Sequence, residues 1–192
     1  PRPVNRRLIG QWSLIEVCRM ENAITVALAI DASYVPHLGV TIASIVRSGP
    51  RERYNFLIMQ SGLTDRDKAR IASCAPLSNF RWIDVDDPVI LRLQGRDHIK
   101  GPATFFRLML PEIGAESLDR VLYLDADLVV LRSLRELWDT DLGGCPIGAC
   151  YDGFVDGRAF GQRWNLPEGS GNGYFNAGVL LIDIAAIRRD GQ

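Results

Sequence analysis

The sequence lacks the features of nucleic-acid-binding and membrane-spanning proteins. Its 22 lysines and arginines are balanced by 23 aspartates and glutamates. The resulting net charge of −1 provides no basic field for a nucleic acid or an anionic surface. The apolar runs are all shorter than the roughly 20 residues that a transmembrane helix needs. With 192 residues, 47% of them hydrophobic, the chain predicts one globular domain with a substantial core.

Fingerprints of phosphate binding and of metal-binding cysteines are also missing. There is no G-x-G-x-x-G or G-x-x-x-x-G-K-[ST] segment, so neither a dinucleotide fingerprint nor a P-loop is predicted. The four cysteines show no C-x-x-C spacing, and Cys145 with Cys150 is a weak zinc signal because no histidine lies nearby. We therefore expect reduced, mostly buried thiols in a cytoplasmic protein.

Apolar segments of strand length alternate with segments of helical spacing along the chain. Apolar runs predict buried strands at residues 23–31 and 54–62, the first of them covered on both faces, and further strands are predicted at residues 80–86, 120–131, 145–152 and 174–184. Helices are predicted between them, at residues 34–48, 63–75, 101–113 and 133–139. Because parallel neighbours need crossover helices, the alternation indicates an α/β fold with a mainly parallel sheet flanked by helices.

Individual residues indicate some of the boundaries. Thr64, with Asp67 three positions later, is close to a capping box at the start of the second helix. Pro111 is expected to end the third helix, and the glycine-rich residues 158–175 are expected to form a loop. Residues 1–22 are an extension of uncertain structure, which leaves residues 23–192 as one domain.

Two carboxylates interrupt the fourth predicted strand. In an extended chain, residues i and i+2 share a face, so Asp125 and Asp127 would point the same way, roughly 7 Å apart at Cα. Like charges that close repel unless a cation lies between them, and carboxylate oxygens suit Mg²⁺ or Mn²⁺. The alternative is a solvated loop, which fits poorly with the apolar residues 128–131 that follow. The spacing predicts a divalent-metal site at the carboxyl end of this strand.

The first predicted strand also ends in polar residues. Asp31 could accept hydrogen bonds from a base or a ribose, and Tyr34 could stack on a nucleobase. Residues 31–33 could equally form a helix-capping turn, with Tyr34 covering the surface. In the first interpretation, a metal would neutralise a diphosphate and stabilise it as a leaving group.

Four segments of the chain, in this order, resemble the family 8 glycosyltransferases. They are ALAIDASYVPHLGVTIASIV, DHIKGPATFFRLMLPEI, RVLYLDADLVVLRSLRELW and GYFNAGVLLID, within residues 23–188. The resemblance implies a GT-A fold, which is a Rossmann-like fold of nucleotide-diphospho-sugar transferases. It also implies a retaining, metal-dependent enzyme that moves a hexose from a UDP-sugar to a saccharide acceptor of the lipopolysaccharide type.

The resemblance also implies roles for individual residues. Asp125 and Asp127 would hold Mn²⁺, or Mg²⁺, against the UDP diphosphate. The nucleotide would be bound by Ala29, Ile30, Asp31, Ser33, Tyr34, Asp125 and Ala126, although Ser33 stands where many members have Asn. The donor sugar would be contacted by Arg107, Asp152, Asn176 and His98. Without the resemblance, Arg107 reads as an exposed helix residue, Asn176 as part of a turn and His98 as a loop residue.

One element of the family pattern has no counterpart. Family members carry a metal-binding His in a segment similar to H-x-x-G-x-x-K-P-W, and this chain has none up to residue 192. We therefore expect the donor-binding part of a longer enzyme, cytoplasmic and peripheral at the inner membrane if its acceptor is linked to lipid. The alternatives are an accessory protein that binds nucleotide sugar or glycosylates itself, and a phosphohydrolase built on a D-x-D loop. The D-x-D on the fourth strand, not the first, disfavours the phosphohydrolase.

Overall fold

Six strands form a single sheet in this computed structural model, which describes residues 22–87, 90, 101–114, 117–167 and 174–190. The strands are β1 (Ile24–Asp31), β2 (Tyr54–Ser61), β3 (Asn79–Asp84), β4 (Arg120–Leu124), β5 (Ile147–Tyr151) and β6 (Phe175–Asp183). Their order in the sheet is β3-β2-β1-β4-β6-β5. The first four strands pair in parallel, whereas β6 runs antiparallel to both β4 and β5. The predicted α/β fold with a mainly parallel sheet is confirmed.

Helices cover both faces of this sheet. They are α1 (Val35–Ser48), α2 (Asp65–Ser73), α3 (Ala103–Phe106), α4 (Leu110–Gly114), α5 (Arg135–Trp138), α6 (Gly157–Arg163) and α7 (Ile184–Asp190). Along β1 the side chains alternate: Val26 and Leu28 pack with the apolar side of α1, and Ala27 with Phe106 and Leu110 on the other face. In the described ranges, no helix has the length and apolar character needed to cross a bilayer.

The helix boundaries partly follow the sequence prediction. The capping box of α2 is present, because Thr64 Oγ1 accepts from the Asp67 amide and the Thr64 amide donates to Asp67 Oδ2, both at 3.2 Å. The prediction that Pro111 ends a helix is wrong. A 3₁₀ turn at Arg107–Met109 separates α3 from α4, and Pro111 lies in the first turn of α4, where its missing N–H costs little.

The predicted glycine-rich loop at residues 158–175 is wrong in its first part. Residues Gly157–Arg163 form α6. The Asp156 carboxylate caps this helix by accepting from the amides of Arg158 (3.0 Å) and Ala159 (3.2 Å). Residues 168–173 of this stretch, and residues 1–21 of the N-terminal extension, lie outside the described residues.

The fourth strand is shorter than predicted, and its extension to residue 131 is wrong. The strand ends at Leu124, one more ladder-like bond joins the Asp125 amide to Gly178 O at 2.8 Å, and Ala126 then begins a turn. Beyond the turn, Val129 and Leu131 are 63% and 85% exposed. The chain leaves the sheet there because hydroxyl groups of α1, not a neighbouring strand, bind its backbone.

The expectation of mostly buried thiols is wrong for two of the three described cysteines. Cys145 and Cys150 are exposed and Cys74 is half-buried, and all three are free thiols. Cys150 lies on β5, an edge strand whose residues are largely exposed. The exposed strand accounts for the exposed thiol.

Candidate functional site

A cleft of about 220 Å³ opens at the carboxyl ends of the adjacent parallel strands β1 and β4. Three stretches of chain line it: the end of β1 with the turn after it, residues 101–107 in and around α3, and residues 123–127 at the end of β4 and in the turn after it. The lining residues are Ala29, Ile30, Asp31, Tyr34, Gly101, Ala103, Thr104, Arg107, Tyr123, Asp125, Ala126 and Asp127. Most residues predicted from the sequence as a binding site therefore lie around one cleft, at the sheet edge where open α/β folds bind ligands.

Arg107 and Asp125 form an ion pair on the wall of this cleft. The Arg107 Nη2 atom lies 2.9 Å from Asp125 Oδ1. The same guanidinium donates through Nε to Thr104 O at 2.9 Å and through Nη1 to Ala177 O. It also lies over the ring of Tyr123, with Cζ 4.6 Å from the ring centroid. These contacts fix the Arg107 side chain, which is only 13% exposed.

Tyr123 is a second donor to the same carboxylate oxygen. Its hydroxyl lies 3.1 Å from Asp125 Oδ1, and the residue is almost fully buried. Burial raises the pKa of Tyr123 well above its ordinary value; Arg107 opposes the rise and Asp125 adds to it. The phenol therefore stays protonated at neutral pH and keeps donating to Asp125.

The other oxygen of Asp125 is free of these contacts and lies against Gly178 of β6. A Cβ at position 178 would come within 2.6 Å of Asp125 Oδ2. Such a contact is shorter than van der Waals packing permits, so the absence of a side chain at Gly178 keeps this oxygen in place. Asn176 lies alongside, since its Oδ1 accepts from the Gly178 amide at 2.8 Å.

Asp127 differs from Asp125 in having no partner. It is exposed, in the turn after β4, and makes no hydrogen bond or ion pair with any residue that the structure describes. The strand geometry that predicted a shared face with Asp125 ends at Leu124, so the turn and not a strand brings the two carboxylates to one cleft.

One carboxylate oxygen of Asp31 is used in a local turn. Its Oδ1 accepts from the Ser33 amide at 2.9 Å and from the Ser33 hydroxyl at 2.5 Å, which is the helix-capping alternative predicted for residues 31–33. Asp31 also lines the cleft, so capping and a place at the site coexist. Tyr34 lines the cleft as well, and its ring lies 4.9 Å from that of His37.

The charges in the cleft suit a divalent cation. Three carboxylates, of Asp31, Asp125 and Asp127, line it against one cation, Arg107, which gives a local charge of −2. Carboxylate oxygens are the ligands that Mg²⁺ and Mn²⁺ prefer. Within the described ranges, no group of three His, Cys, Asp or Glu side chains is close enough to hold a metal. The described residues therefore fit a metal only as a partial site, to which Asp125 and Asp127 could contribute two carboxylates.

Three of the predicted residues that the structure describes do not line the cleft. Ser33 is exposed and bound to Asp31, and Asn176 is exposed at the start of β6. Asp152 follows β5 and accepts from the Phe154 amide at 3.0 Å. His98 lies outside the described residues. The sugar contacts implied for Asp152, Asn176 and His98 remain predictions.

Sequence reasoning missed three residues that shape the site. Tyr123 stands two positions before Asp125, within a run read only as strand core. Thr104 lines the cleft and its carbonyl holds Arg107. Thr41 interrupts the apolar face of α1 that Leu38 and Ile42 define, and a buried polar residue on such a face signals a specific partner.

The model of the family described as glycosyl transferase family 8 matches residues 25–191 of this chain. This chain belongs to glycosyl transferase family 8. It is 29% identical over 158 residues to a putative glycosyltransferase of Haemophilus influenzae, covering 80% of this chain and 46% of that protein. It is 30% identical over 165 residues to the lipopolysaccharide 1,2-glucosyltransferase of Escherichia coli, covering 84% and 48% of the two chains.

A solved structure shows the same fold. The galactosyltransferase LgtC, in complex with donor and acceptor sugar analogues, superposes with a TM-score of 0.75 at 36% identity. The match covers 86% of this family 8 chain and 60% of LgtC. The predicted GT-A fold is confirmed. The chain spans about half the length of the curated relatives it matches, 46% and 48% for the two named above.

Proposed function

We propose that this family 8 chain is the donor-binding part of a retaining, metal-dependent transferase that moves a hexose from a UDP-sugar to a saccharide hydroxyl. The observation that carries the proposal is the cleft at the ends of β1 and β4, with three carboxylates and one arginine. Family membership supports the reaction class. The galactosyltransferase solved with donor and acceptor sugar analogues supports a sugar donor and a saccharide acceptor.

The nucleoside would occupy the β1 side of the cleft. Ala29 and Ile30 line this side, and Ala29 is small enough for a close approach of the ligand. Asp31 would accept hydrogen bonds from the ribose or base, since one carboxylate oxygen is not used by Ser33. Tyr34 would stack on the base, a contact typically worth about 1–3 kcal/mol.

Asp125 and Asp127 would hold the Mn²⁺ or Mg²⁺ ion. Because Arg107 and Tyr123 occupy Oδ1 of Asp125, its Oδ2 is the oxygen available to a metal. Asp127 loses no existing partner when it binds one. When bound, the ion supplies Lewis-acid stabilisation of the negative charge that grows on the departing UDP.

Arg107 would stabilise the same departing charge directly. Three of its N–H groups are engaged by Thr104, Ala177 and Asp125, and those that remain are free to donate to a diphosphate. Because these contacts already fix the guanidinium, little reorganisation is needed when charge develops. Asp152 and Asn176 would hydrogen-bond the donor-sugar hydroxyls.

The acceptor and the location concern the whole protein, and its relatives support a proposal for the acceptor. The similarity to a lipopolysaccharide 1,2-glucosyltransferase supports a lipopolysaccharide-type acceptor. A lipid-linked acceptor of this kind would place the enzyme in the cytoplasm, at the inner surface of the membrane.

Calorimetric titration of UDP tests the proposal. UDP should bind in the presence of Mn²⁺ and not in EDTA. Asp127→Asn should abolish this binding because it removes a metal ligand, whereas Asp119→Asn, an equal charge change at a side chain 85% exposed and outside the cleft, should leave it unchanged. A folded wild-type chain that does not bind UDP with Mn²⁺, or an Asp127→Asn chain that binds normally, would contradict the proposal.

A further inference from the structure

The segment that carries Asp127 has left the sheet. Among the described residues, no strand pairs with the backbone of residues 126–130, and the carbonyl groups of Ala126 and Leu128 lie in buried or half-buried surroundings. Buried carbonyl and amide groups need partners, so something other than a β-ladder holds this segment.

The hydroxyl groups of α1 supply those partners. Thr41 Oγ1 lies 2.7 Å from Ala126 O and 2.8 Å from Leu128 O, the two carbonyls on either side of Asp127, so its proton is shared between them. Ser44 Oγ lies 2.9 Å from the Val130 amide, which donates to it. Thr41 itself is fully buried.

Thr41 and Ser44 both bond outside the helix, although Ser44 also donates to Thr41 O within the helix at 2.7 Å. A helical Ser or Thr usually bonds to a carbonyl of the preceding turn. Ser48, on the same helix, does this by donating to Ile45 O at 3.0 Å. Thr41 instead directs its hydroxyl across 85 and 87 residues of sequence to the D-x-D segment.

We propose that Thr41, assisted by Ser44, is a positioning residue that holds Asp127 in the place where it would bind the metal; the inference rests on the proposed function. The helix that carries Thr41 begins at Val35, immediately after Asp31 and Tyr34. One rigid element therefore joins the residues that would bind the nucleoside to the turn that would bind the metal. Loss of the Thr41 hydroxyl leaves the Asp127 carboxylate intact but removes the bonds that hold the backbone on both sides of it.

The test compares Thr41→Val, which keeps the shape and removes the hydroxyl, with Thr41→Ser, which restores it. Ser48→Ala is the matched control, since it removes a hydroxyl of α1 that bonds only within the helix. In Thr41→Val, the Mn²⁺ concentration for half-maximal UDP binding should rise by about 10-fold to 100-fold, the usual effect of losing an outer-shell partner. UDP affinity at saturating Mn²⁺ should stay unchanged, and Thr41→Ser and Ser48→Ala should behave as wild type.

A second readout needs no metal. Without Mn²⁺, hydrogen exchange at the Val130 amide should be about tenfold faster in Thr41→Val, whereas amides in the centre of β1 should exchange as in wild type. If the exchange is unchanged, or if Thr41→Val needs no more Mn²⁺ than wild type, the inference about Thr41 is overturned. A wild-type chain that binds no UDP with Mn²⁺ overturns the proposed function instead.

Discussion

Two cavities lie at opposite ends of the strands, and they differ in size and in charge. The cleft at the carboxyl ends of β1 and β4 has about 220 Å³, whereas a cavity at the amino ends of β1, β2 and β3 has about 630 Å³. In the larger cavity, the Glu52 carboxylate is paired with Arg135, at 2.6 Å from Nη2 and 3.0 Å from Nε. Hydrogen bonding to Glu52 raises the pKa of Arg135 further. In the smaller cleft, Asp127 has no partner among the described residues.

The difference shows which property marks a binding site here. A paired carboxylate stabilises the fold, whereas an unpaired one that shares a cleft with other carboxylates costs stability until a cation arrives. The unbalanced charge of the smaller cleft, and not its volume, is therefore the signal of function. The variants below are expected to affect ligand binding at the carboxyl end and only stability at the amino end.

Among variants that keep both carboxylates, the largest effect on UDP binding is expected from Gly178→Ala. The new methyl group would meet Asp125 Oδ2 at 2.6 Å and Asn176 Oδ1 at 2.9 Å, and so displace the oxygen proposed to bind the metal. Calorimetry should show Mn²⁺-dependent UDP binding weakened by about 100-fold. Gly39→Ala is the control, because a Cβ there meets only Cys74 Sγ at an ordinary 3.6 Å. Normal binding by Gly178→Ala would mean that this oxygen is not used.

Asp125→Asn and Asp127→Asn should differ in stability although both remove a proposed metal ligand. Asp125→Asn leaves the buried Arg107 guanidinium without its counter-charge, so urea unfolding without metal should show a loss of about 1–2 kcal/mol. Asp127→Asn breaks no bond and should stay within about 0.5 kcal/mol of wild type. Equal losses in the two variants would contradict the different pairing of the two carboxylates.

Glu52→Gln tests the amino-end cavity. The ion pair of Glu52 with Arg135 is about a quarter exposed, 21% and 31% for the two side chains. Its loss should lower the free energy of unfolding by about 1 kcal/mol. UDP binding with Mn²⁺ should not change. A loss of UDP affinity in this variant would show that the two ends of the sheet are not independent.

The smallest effect is expected from Tyr54→Phe, also at the amino end. The Tyr54 hydroxyl is buried and has no hydrogen-bond partner in the described part of the chain, so its removal should raise stability by about 0.5–1 kcal/mol at neutral pH. Burial raises the pKa of Tyr54 from 10.0 to about 12. Because the folded state favours the neutral phenol, titration of Tyr54 should leave the free energy of unfolding unchanged below pH 10. It should lower that free energy as the pH rises from 10 toward 12.

Unfolding measured across this pH range checks the Tyr54 prediction. Wild type should lose stability faster than Tyr54→Phe between pH 10 and 12. Parallel pH dependences of the two chains would contradict the raised pKa.

Local patterns in the sequence were sufficient for much of the fold. The run at residues 23–31 is apolar on both faces because helices cover both faces of the central strand β1. Thr64 and Asp67, which cap α2 by bonding to each other, are only three residues apart in the sequence. These features depend on neighbours in sequence, so their patterns are visible there. The helix α6 was missed because its cap, Asp156, precedes a stretch whose glycines favour a loop.

The site was predictable in its composition and not in its geometry. Asp31, Asp125 and Asp127 were found because acidic residues directly after apolar strands are unusual. The end of β4 at Leu124 was not found, because the partner that replaces the ladder is Thr41, 85 residues away from Ala126. The same holds for Ala177, whose carbonyl fixes Arg107 from 70 residues away. Bonds of that separation leave no periodic signal in the sequence.

The reversed direction of β6 has a consequence for how the molecule is made. Since β6 runs antiparallel to β4, its first half, which includes Ala177 and Gly178, lies at the edge where β1 and β4 end. The wall of the cleft thus joins residues about 150 positions apart in the chain, from Asp31 to Gly178. On a ribosome, β1 and α1 emerge long before β6, and contacts this distant in sequence form late in folding. A nascent chain that stops short of β6 carries the acidic residues without the wall that orients them, so the proposed ligand binding would require β6 to be in place.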